Sequence, residues 1–302
     1  MERRNEVAKG QALAGHVAAW ALFLGVFASP AGAQRVLDWP LRTGAGPETV
    51  VRGVEAVFWN PGAISARAGR GELLVVDQRT PDVIGVSGFA AGAVWRLDTR
   101  TTVAAGYQHV GIDDIGETST SPLPDAGEAT FSVAEDQLTA GMSHALGSAL
   151  NVGAGVRYDR SNESGFYQNA TTLNAGLLLQ PTHALRPVLG ASIATQDGGA
   201  RYAVGVAAGH AIQGLELRAG YGLRGGGHAP EIEHRIGITG SWRELVAVSG
   251  GIASASAGSE RTWEPILGAS LHVSRYELGV LREALSNDFG SAYSFRFRIG
   301  LR

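Results

Sequence analysis

The feature that most constrains the fold of this chain is an alternation of apolar and polar residues that recurs from residue 71 to residue 302. In the final segment, SAYSFRFRIGLR, apolar residues occupy the odd positions from Tyr293 to Leu301, and serine, arginine or glycine occupies the even positions. Successive side chains of a β-strand point to opposite faces of the sheet. The pattern therefore predicts strands that each have one apolar face and one polar face.

About fourteen such segments can be counted, and most reach the roughly 9–11 residues that a tilted strand needs to cross a bilayer. Their approximate spans are 71–78, 83–96, 101–110, 129–145, 149–160, 168–180, 184–196, 200–210, 214–224, 232–243, 245–254, 262–273, 275–284 and 291–302.

The connections between these segments alternate in length. Short connections are predicted at 97–100, 145–150, 181–185, 211–214, 242–245 and 272–275. Longer polar ones lie between them, namely the acidic stretch 111–128 and the stretches RSNESGFYQN, RGGGHAPEIE, ASASAGSERTW and ALSNDFGS. Short periplasmic turns that alternate with longer outer loops are typical of outer-membrane barrels. We therefore predict an all-β fold, a transmembrane antiparallel barrel of about 14 strands over 71–302.

A secreted β-sandwich or propeller is the alternative fold, because its strands also bury only one face. The apolar rows of this chain run through more sheet than a single sandwich holds, and this favours the barrel. The formal net charge of −3 gives no sign of a nucleic-acid-binding surface.

Residues 1–33 have the features of a secretory signal peptide. Three basic residues precede an apolar stretch at 13–27, and Ala31-Gly32-Ala33 fits the small-x-small cleavage pattern. We expect cleavage near Ala33 and location in the bacterial outer membrane, with an uncleaved membrane anchor as the alternative. The chain has no cysteine, so it forms no disulfides and carries no lipoprotein anchor.

Charged residues recur on the polar face of the predicted strands. If that face lines the bore, the lumen-facing candidates are Arg157, Glu216, Arg218, Arg235, Arg296 and Arg298. Phe297 would then face lipid, and we expect Phe297→Arg to impair refolding into vesicles more than Arg298→Gln does.

Residues 34–70 precede the first strand and contain no long alternating run. A barrel of about fourteen strands with small inward residues would leave a hole, so we predict that 34–70 folds into the bore as a plug. Its anchored turn would be Asn-Pro-Gly, with the asparagine amide bracing the backbone and the apolar neighbours packing on the wall. The candidate plug-turn residues are Phe58, Trp59, Asn60, Pro61, Gly62 and Ile64.

Two stretches resemble the long-chain fatty-acid transporter family (FadL) and its relatives PorV and PorQ. The stretch RGVEAVFWNPGAISARAGRGELLV resembles the family's A-x-x-x-N-P-A-G-L segment at Ala56, Phe58, Trp59, Asn60, Pro61 and Ile64. It departs from that segment at Gly62 and Ala63, and the acidic residue common upstream is missing at Gly53, although Glu55 is near. The stretch 131–159 resembles a family hairpin at Phe131, Ser132, Asp136, Ser143, Ala145, Leu146, Leu150 and Gly153.

The resemblance implies a fourteen-stranded outer-membrane barrel with an N-terminal plug, and a conduit for small hydrophobic molecules. A PorV-like or PorQ-like scaffold or shuttle for secreted proteins is the alternative, and the acidic stretch 111–128 would be its docking surface. The expected partners are outer-membrane lipid, a small hydrophobic ligand and, in the alternative, secreted proteins or their secretion machinery.

A hydrolase is a minor alternative. Its candidate groups are His109 with Asp113 and Asp114, and His228 with Glu231, Glu233 and His234. Neither group has a recognisable serine nucleophile or a metal-ligand spacing. We therefore expect no enzymatic activity, no metal and no cofactor.

Overall fold

The computed structural model describes most of the chain beyond residue 40. The described residues are 41–67, 69–80, 85–116, 130–163, 165–196, 199–226, 229–257, 260–284 and 290–302. The predicted signal peptide and its cleavage site therefore lie outside the described residues.

Fourteen antiparallel strands form a closed barrel in which each strand pairs with its sequence neighbours, and the last strand pairs with the first. This confirms the predicted fold class and strand number. The strands are β1 Gly71–Arg79, β2 Val86–Arg96, β3 Thr101–Gly116, β4 Thr130–Ala145, β5 Leu150–Glu163, β6 Phe166–Leu179, β7 Val188–Gln196, β8 Gly199–Ile212, β9 Leu215–Gly226, β10 Ala229–Trp242, β11 Val246–Ala257, β12 Glu260–Val273, β13 Tyr276–Ala284 and β14 Ser291–Leu301.

The two ends of the barrel differ. The end that carries the connections after β2, β4, β6, β8, β10 and β12, together with the start of β1 and the end of β14, is called the short-turn end. The opposite end is called the hairpin end. No helix in the described part of the chain is both long enough and apolar enough to cross a membrane.

The outer face of the barrel is apolar, as the alternation predicts. In β14, Phe295 and Phe297 are exposed on the outside, whereas Ser294 and Arg298 are buried in the interior. Outward aromatic residues lie near both ends, which is the arrangement of the aromatic girdles of membrane barrels. They are Trp95, Trp242, Tyr276 and Phe297 toward the short-turn end, and Tyr107, Tyr158, Tyr202, Tyr221, Trp263 and Tyr293 toward the hairpin end.

Three connections that the sequence predicts as long loops are mostly strand, so that part of the prediction is wrong. The predicted loop 160–169 is taken up by the end of β5 and the start of β6, and the stretches 224–233 and 253–263 are taken up in the same way by β9–β10 and β11–β12. Antiparallel pairing satisfies the backbone of both partners, so a strand pair can continue past the apolar band with polar residues on both faces. Loss of alternation was therefore a poor marker of strand ends.

The predicted acidic loop 111–128 is also partly strand. Residues 111–116 belong to β3, which pairs with β4 through an irregular register between Ile112 and Ile115. Residues 117–128 lie outside the described residues, and so do 285–289 of the stretch ALSNDFGS.

Residues 41–66 lie inside the barrel. They form a 3₁₀ turn at Glu48–Val50, a one-turn α-helix at Ala56–Trp59 and a second 3₁₀ turn at Pro61–Ala63. These elements contact β3 to β8, and their apolar side chains share one buried core with inward residues of the wall. A single parallel bridge between Gly53 and Ile64 closes the segment on itself.

Glycine on the inner wall lets this segment approach the strand backbone. A β-carbon at Gly153 of β5 would lie 2.6 Å from the nitrogen of Gly62, and one at Gly237 of β10 would lie 2.9 Å from the Cα of Gly46. Both distances are too short for any larger residue. The small inward residues thus shape the wall to the segment that fills it.

Candidate functional site

The Asn-Pro-Gly turn is held by the side chain of Asn60, which is fully buried. Its Oδ1 accepts a hydrogen bond of 3.0 Å from the backbone nitrogen of Gly62 and so caps the second 3₁₀ turn, which Pro61 begins. Its Nδ2 donates to the carbonyl of Thr49 at 2.7 Å and to the carbonyl of Leu177 in β6 at 3.0 Å. One amide therefore joins two parts of the inner segment to the barrel wall.

The two stretches that carry the family resemblance contact each other in the bore. The Ser143 hydroxyl of β4 donates a 2.6 Å hydrogen bond to the carbonyl of Ile64. Gly153 of β5 allows the backbone of Pro61 and Gly62 to lie against the wall. Asp136, another matching position of the second stretch, does not lie in the bore but on the outer face of the barrel.

The remaining candidate plug-turn residues are buried. Phe58 lies against Gly106 of β3, and Ile64 approaches Gly141 of β4. The guanidinium carbon of Arg224 in β9 lies 5.4 Å from the centroid of the Trp59 ring, a cation–π distance. The apolar side chains of this turn thus contact β3, β4 and β9.

A cluster of three carboxylates and three arginines joins the inner segment to β1, β13 and β14. Arg298 forms ion pairs with Glu55 of the segment, with Glu72 at 3.1 Å and with Glu277 at 2.5 Å. Arg296 contacts Glu277 at 2.7 Å and Glu55 at 3.6 Å. Glu55, Glu72 and Arg298 are almost completely buried, so these charges neutralise one another within the bore.

Arg67 completes this cluster, which we call the ionic anchor (Glu55, Glu72, Arg67, Glu277, Arg296 and Arg298). It lies 3.7 Å from Glu55 and 3.5 Å from Glu277. The backbone nitrogens of Val54 and Arg67 donate to the two carboxylate oxygens of Glu72 at 3.4 and 3.3 Å. Charge pairs and backbone hydrogen bonds therefore attach the same part of the segment.

Burial tends to raise the pKa of Glu55, but the guanidinium groups of Arg298, Arg67 and Arg296 outweigh that effect and hold the pKa at about 2 instead of 4.5. A carboxylate with a lowered pKa contributes its full stabilisation above its unfolded pKa and loses it as the pH falls through the folded value. We expect the attachment of the segment to be constant near neutral pH and to weaken from pH 4.5 toward about 2. Planar-bilayer current recorded as the pH is lowered checks this.

Glu55→Gln is the control for that titration, because the amide cannot ionise. We expect this variant to show a smaller change of current with acidification, since the carboxylate with the lowered pKa is then absent. An opening transition near neutral pH in the unaltered protein would contradict the assignment.

A second charged group crosses the bore nearer the hairpin end. Arg42 of the inner segment pairs with Glu233 of β10 at 2.8 Å, with Glu264 of β12 at 3.7 Å and with Glu283 of β13. Glu233 also pairs with Arg224. This crossing layer places paired charges of the inner segment and of β10, β12 and β13 inside the bore.

Further contacts fix the same part of the segment to the wall. Arg235 of β10 donates to the carbonyl of Gly44 at 2.8 Å and pairs with Glu48. Arg296 donates to the carbonyl of Thr43 at 2.7 Å. The segment is therefore bound to β10 and β14 through its backbone as well as its side chains.

A cavity of about 570 Å³ lies between residues 43–52 and the wall from β8 to β14. Its lining is dominated by small residues such as Gly237, Ala247 and Ser270, and it reaches Glu244 and Leu245 at the short-turn end. Both Glu216 and Arg218 line it, together with Arg52. The inner segment thus fills one side of the bore and leaves the other side open toward the short-turn end.

Of the six lumen-facing candidates, five meet the inner segment or the cavity. Arg235, Arg296 and Arg298 contact the segment, and Glu216 and Arg218 line the cavity. Arg157 is also buried inside, but it pairs with Asp159 on its own strand at 3.0 Å. It belongs to a polar group at the hairpin end that the structure keeps apart from the ionic anchor.

Of the groups considered for hydrolysis, the described side chains of His109, Glu233 and His234 have other partners. His109 lies 2.9 Å from Asp136, whose carboxylate also accepts from the hydroxyl of Tyr107 at 2.6 Å, and these side chains are on the outer face. Glu233 points into the bore, whereas His234 points outward and lies 2.7 Å from the Tyr221 hydroxyl. Within the described ranges, no group of three or more His, Cys, Asp or Glu could hold a metal ion. His228 and the side chains of Asp114 and Glu231 lie outside the described part of the structure.

The sequence reasoning missed most of the partners of the arginines. Glu72, Glu277 and Arg42 were not proposed as site residues. Glu277 alternates with outward Tyr276 and Leu278, and it stands directly opposite Arg298 in the β13–β14 ladder. Alignment of the last two strands as a hairpin could have found this pair, but nothing local marks Arg42.

The fold has counterparts among solved structures. The toluene transporter TbuX of Ralstonia pickettii aligns with a TM-score of 0.57 at 13% identity, over 86% of this chain and 99% of that one. The P. putida toluene transporter TodX aligns at 0.53 and 14% identity, over 86% and 97%. A Pseudomonas aeruginosa FadL homologue aligns at 0.51 and 12%, over 85% and 96%. No protein-family model and no curated protein sequence match the chain.

These similarities confirm that the chain has the FadL-like barrel fold that the two sequence stretches implied. The identities are low, so the likeness concerns the fold.

Proposed function

We propose that the protein is an outer-membrane conduit for small hydrophobic molecules, with residues 34–70 as the plug and 71–302 as the channel wall. The observation that carries this proposal is the cavity of about 570 Å³ between the inner segment and the β8–β14 wall. A volume of that order suits a small organic molecule. A barrel that served only as a scaffold for secreted proteins would not need such a cavity.

The chemistry of the cavity supports the passage of a small molecule. The part of its wall that β10 to β12 supply is mostly glycine, alanine, serine and threonine, which leave room, whereas charged residues such as Glu216 and Arg218 line the part that β9 supplies. A conduit requires contacts weak enough for release as well as entry. Toluene transporters are among the structures that share the fold, and this agrees with a hydrophobic cargo.

We infer that the inner segment closes the proposed conduit in this arrangement. The Arg42 layer crosses the bore between the hairpin end and the cavity, and the ionic anchor attaches the inner segment below it. An apolar molecule cannot pass a layer of paired charges without a large desolvation cost. Passage therefore requires the inner segment to shift.

The same proposal includes the cellular location. The apolar outer face, flanked by aromatic girdles, fits a membrane, and a closed barrel leaves no unpaired strand edge in lipid. We propose that the chain is exported by a signal peptide cut near Ala33, that the short-turn end faces the periplasm, and that lipid and a small hydrophobic ligand are the partners.

Filling the cavity is expected to reduce transport severalfold without unfolding the barrel. Ser270 lines the cavity, so Ser270→Trp would place an indole in the proposed path. The next residue, Leu271, points to lipid and is 46% exposed, so Leu271→Trp is the matched control. The measurement is the rate at which intact cells accumulate a radiolabelled monoaromatic hydrocarbon or long-chain fatty acid. Equal uptake with and without the protein would refute the proposal.

A further inference from the structure

Exposed arginines surround the short-turn end of the barrel. Arg100, Arg186, Arg243 and Arg275 lie in four of its connections, and Arg70 and Arg302 flank β1 and β14. The exposed carboxylates in the described connections at this end are Asp98 and Glu244. This set of six arginines, which we call the basic rim, therefore carries a net positive charge.

Two arginines of the basic rim lie over outward aromatic rings. The guanidinium carbon of Arg243 is 5.4 Å from the ring centroid of Trp242, which is 50% exposed. That of Arg275 is 5.2 Å from the ring of Tyr276, and its Nη2 donates to the Tyr276 hydroxyl at 2.9 Å. Aromatic rings of this kind sit at the headgroup level of a bilayer, so both cations are placed at that depth.

The two pairs are on the same side of the barrel. The nitrogen of His272, near the end of β12, donates to the carbonyl of Leu245 in the β10–β11 connection at 2.7 Å. This bond ties the two hairpins together. Neither Arg243 nor Arg275 forms an ion pair with a carboxylate of the described residues, so both charges are available to an external anion.

We propose that the basic rim binds the phosphate groups of anionic phospholipids in the adjoining membrane leaflet, with Arg243–Trp242 and Arg275–Tyr276 as its principal contacts. The ring of each pair lies among the upper acyl chains and the guanidinium reaches the phosphate, as long basic side chains do at interfaces. Arginine presents a planar fork of donors that matches a phosphate. The proposal does not depend on what the barrel transports.

The hairpin end offers a matched contrast. Arg160 lies 4.5 Å from the ring of Tyr167, so the cation–π geometry is the same. However, Arg160 stands opposite Asp136 in the β4–β5 ladder, and that carboxylate offsets its charge. The proposal therefore predicts that the binding of anionic lipid depends on the two arginine–aromatic pairs of the basic rim and does not depend on Arg160.

The test is native mass spectrometry of the full-length barrel incubated with equal amounts of phosphatidylglycerol and phosphatidylcholine. The variants are the double substitution Arg243→Gln with Arg275→Gln, and the single control Arg160→Gln. Each basic residue near a membrane surface is worth about a fivefold change in lipid binding, so the double variant should bind phosphatidylglycerol about 25-fold more weakly. The control should keep it, and heat-modifiable gel migration should show that both variants are folded.

Two results would overturn the proposal. One is equal occupancy of the two lipids on the unaltered protein. The other is unchanged phosphatidylglycerol occupancy in the double variant. Raising the salt concentration should weaken the phosphatidylglycerol preference, because exposed charges are screened.

Discussion

Deletion of residues 34–66 is expected to leave a folded barrel and to turn a closed pore into an open one. The deletion removes the Arg42 layer and the whole Asn60 turn, so the remaining fourteen strands would enclose a water-filled bore. Single-channel recording in a planar bilayer should show little steady current for the full mature chain and large, stable openings for the deletion.

The charges left on the wall explain why the barrel should survive this deletion. Without Glu55, the wall still holds Glu72 and Glu277 beside Arg296 and Arg298. At the Arg42 layer, Glu264 and Glu283 lose their partner, but water would then reach both carboxylates. Silent channels in both forms, or open channels in both, would instead place residues 34–70 in a role other than a plug.

Arg298→Gln is expected to destabilise the protein by about 3–5 kcal/mol, because it leaves the buried carboxylates of Glu55, Glu72 and Glu277 with too little positive charge. Urea unfolding in vesicles, followed by gel migration, measures this change in the free energy of unfolding. If Arg298→Gln lowers the free energy of unfolding no more than a surface substitution does, water must already screen the charges of the ionic anchor.

Phe297→Arg is the companion variant, and it is expected to cost only about 0–1 kcal/mol, because an arginine on the lipid face is tolerated near the interface. Phe297 stacks on Tyr276 near the short-turn end, with 6.2 Å between the ring centroids. The sequence alone suggested the opposite ranking of these two variants. That ranking considered only the lipid face and could not include the partners of Arg298.

The strands were predictable because the alternation that marks each of them lies within a short segment of the sequence. Alternation identifies which side of each segment is apolar, and Phe297 and Arg298 point as their positions in that pattern require. The ends of the strands were less predictable, because β5 and β9 continue into polar stretches in which the alternation fades. Pairing with a neighbouring strand, which is a non-local property, decides those ends.

The candidate site was predictable only where the chain supplies a turn motif. The sequence marked Asn60 and Pro61 as a turn within the bore, but the second contact of Asn60 is with Leu177, which is 117 positions away. Arg42 could not be found, since its three carboxylates come from three different strands. Such a group exists only once a closed sheet brings those strands around it.

The closure of β1 on β14 also constrains the order of assembly. Glu55 and Arg298 are 243 positions apart, yet they meet beside the seam at which the first and last strands pair. Contacts of such long sequence separation form late in folding. Because Arg298 belongs both to this ion pair and to the β1–β14 ladder, we expect the attachment of the inner segment and the closure of the seam to stabilise each other.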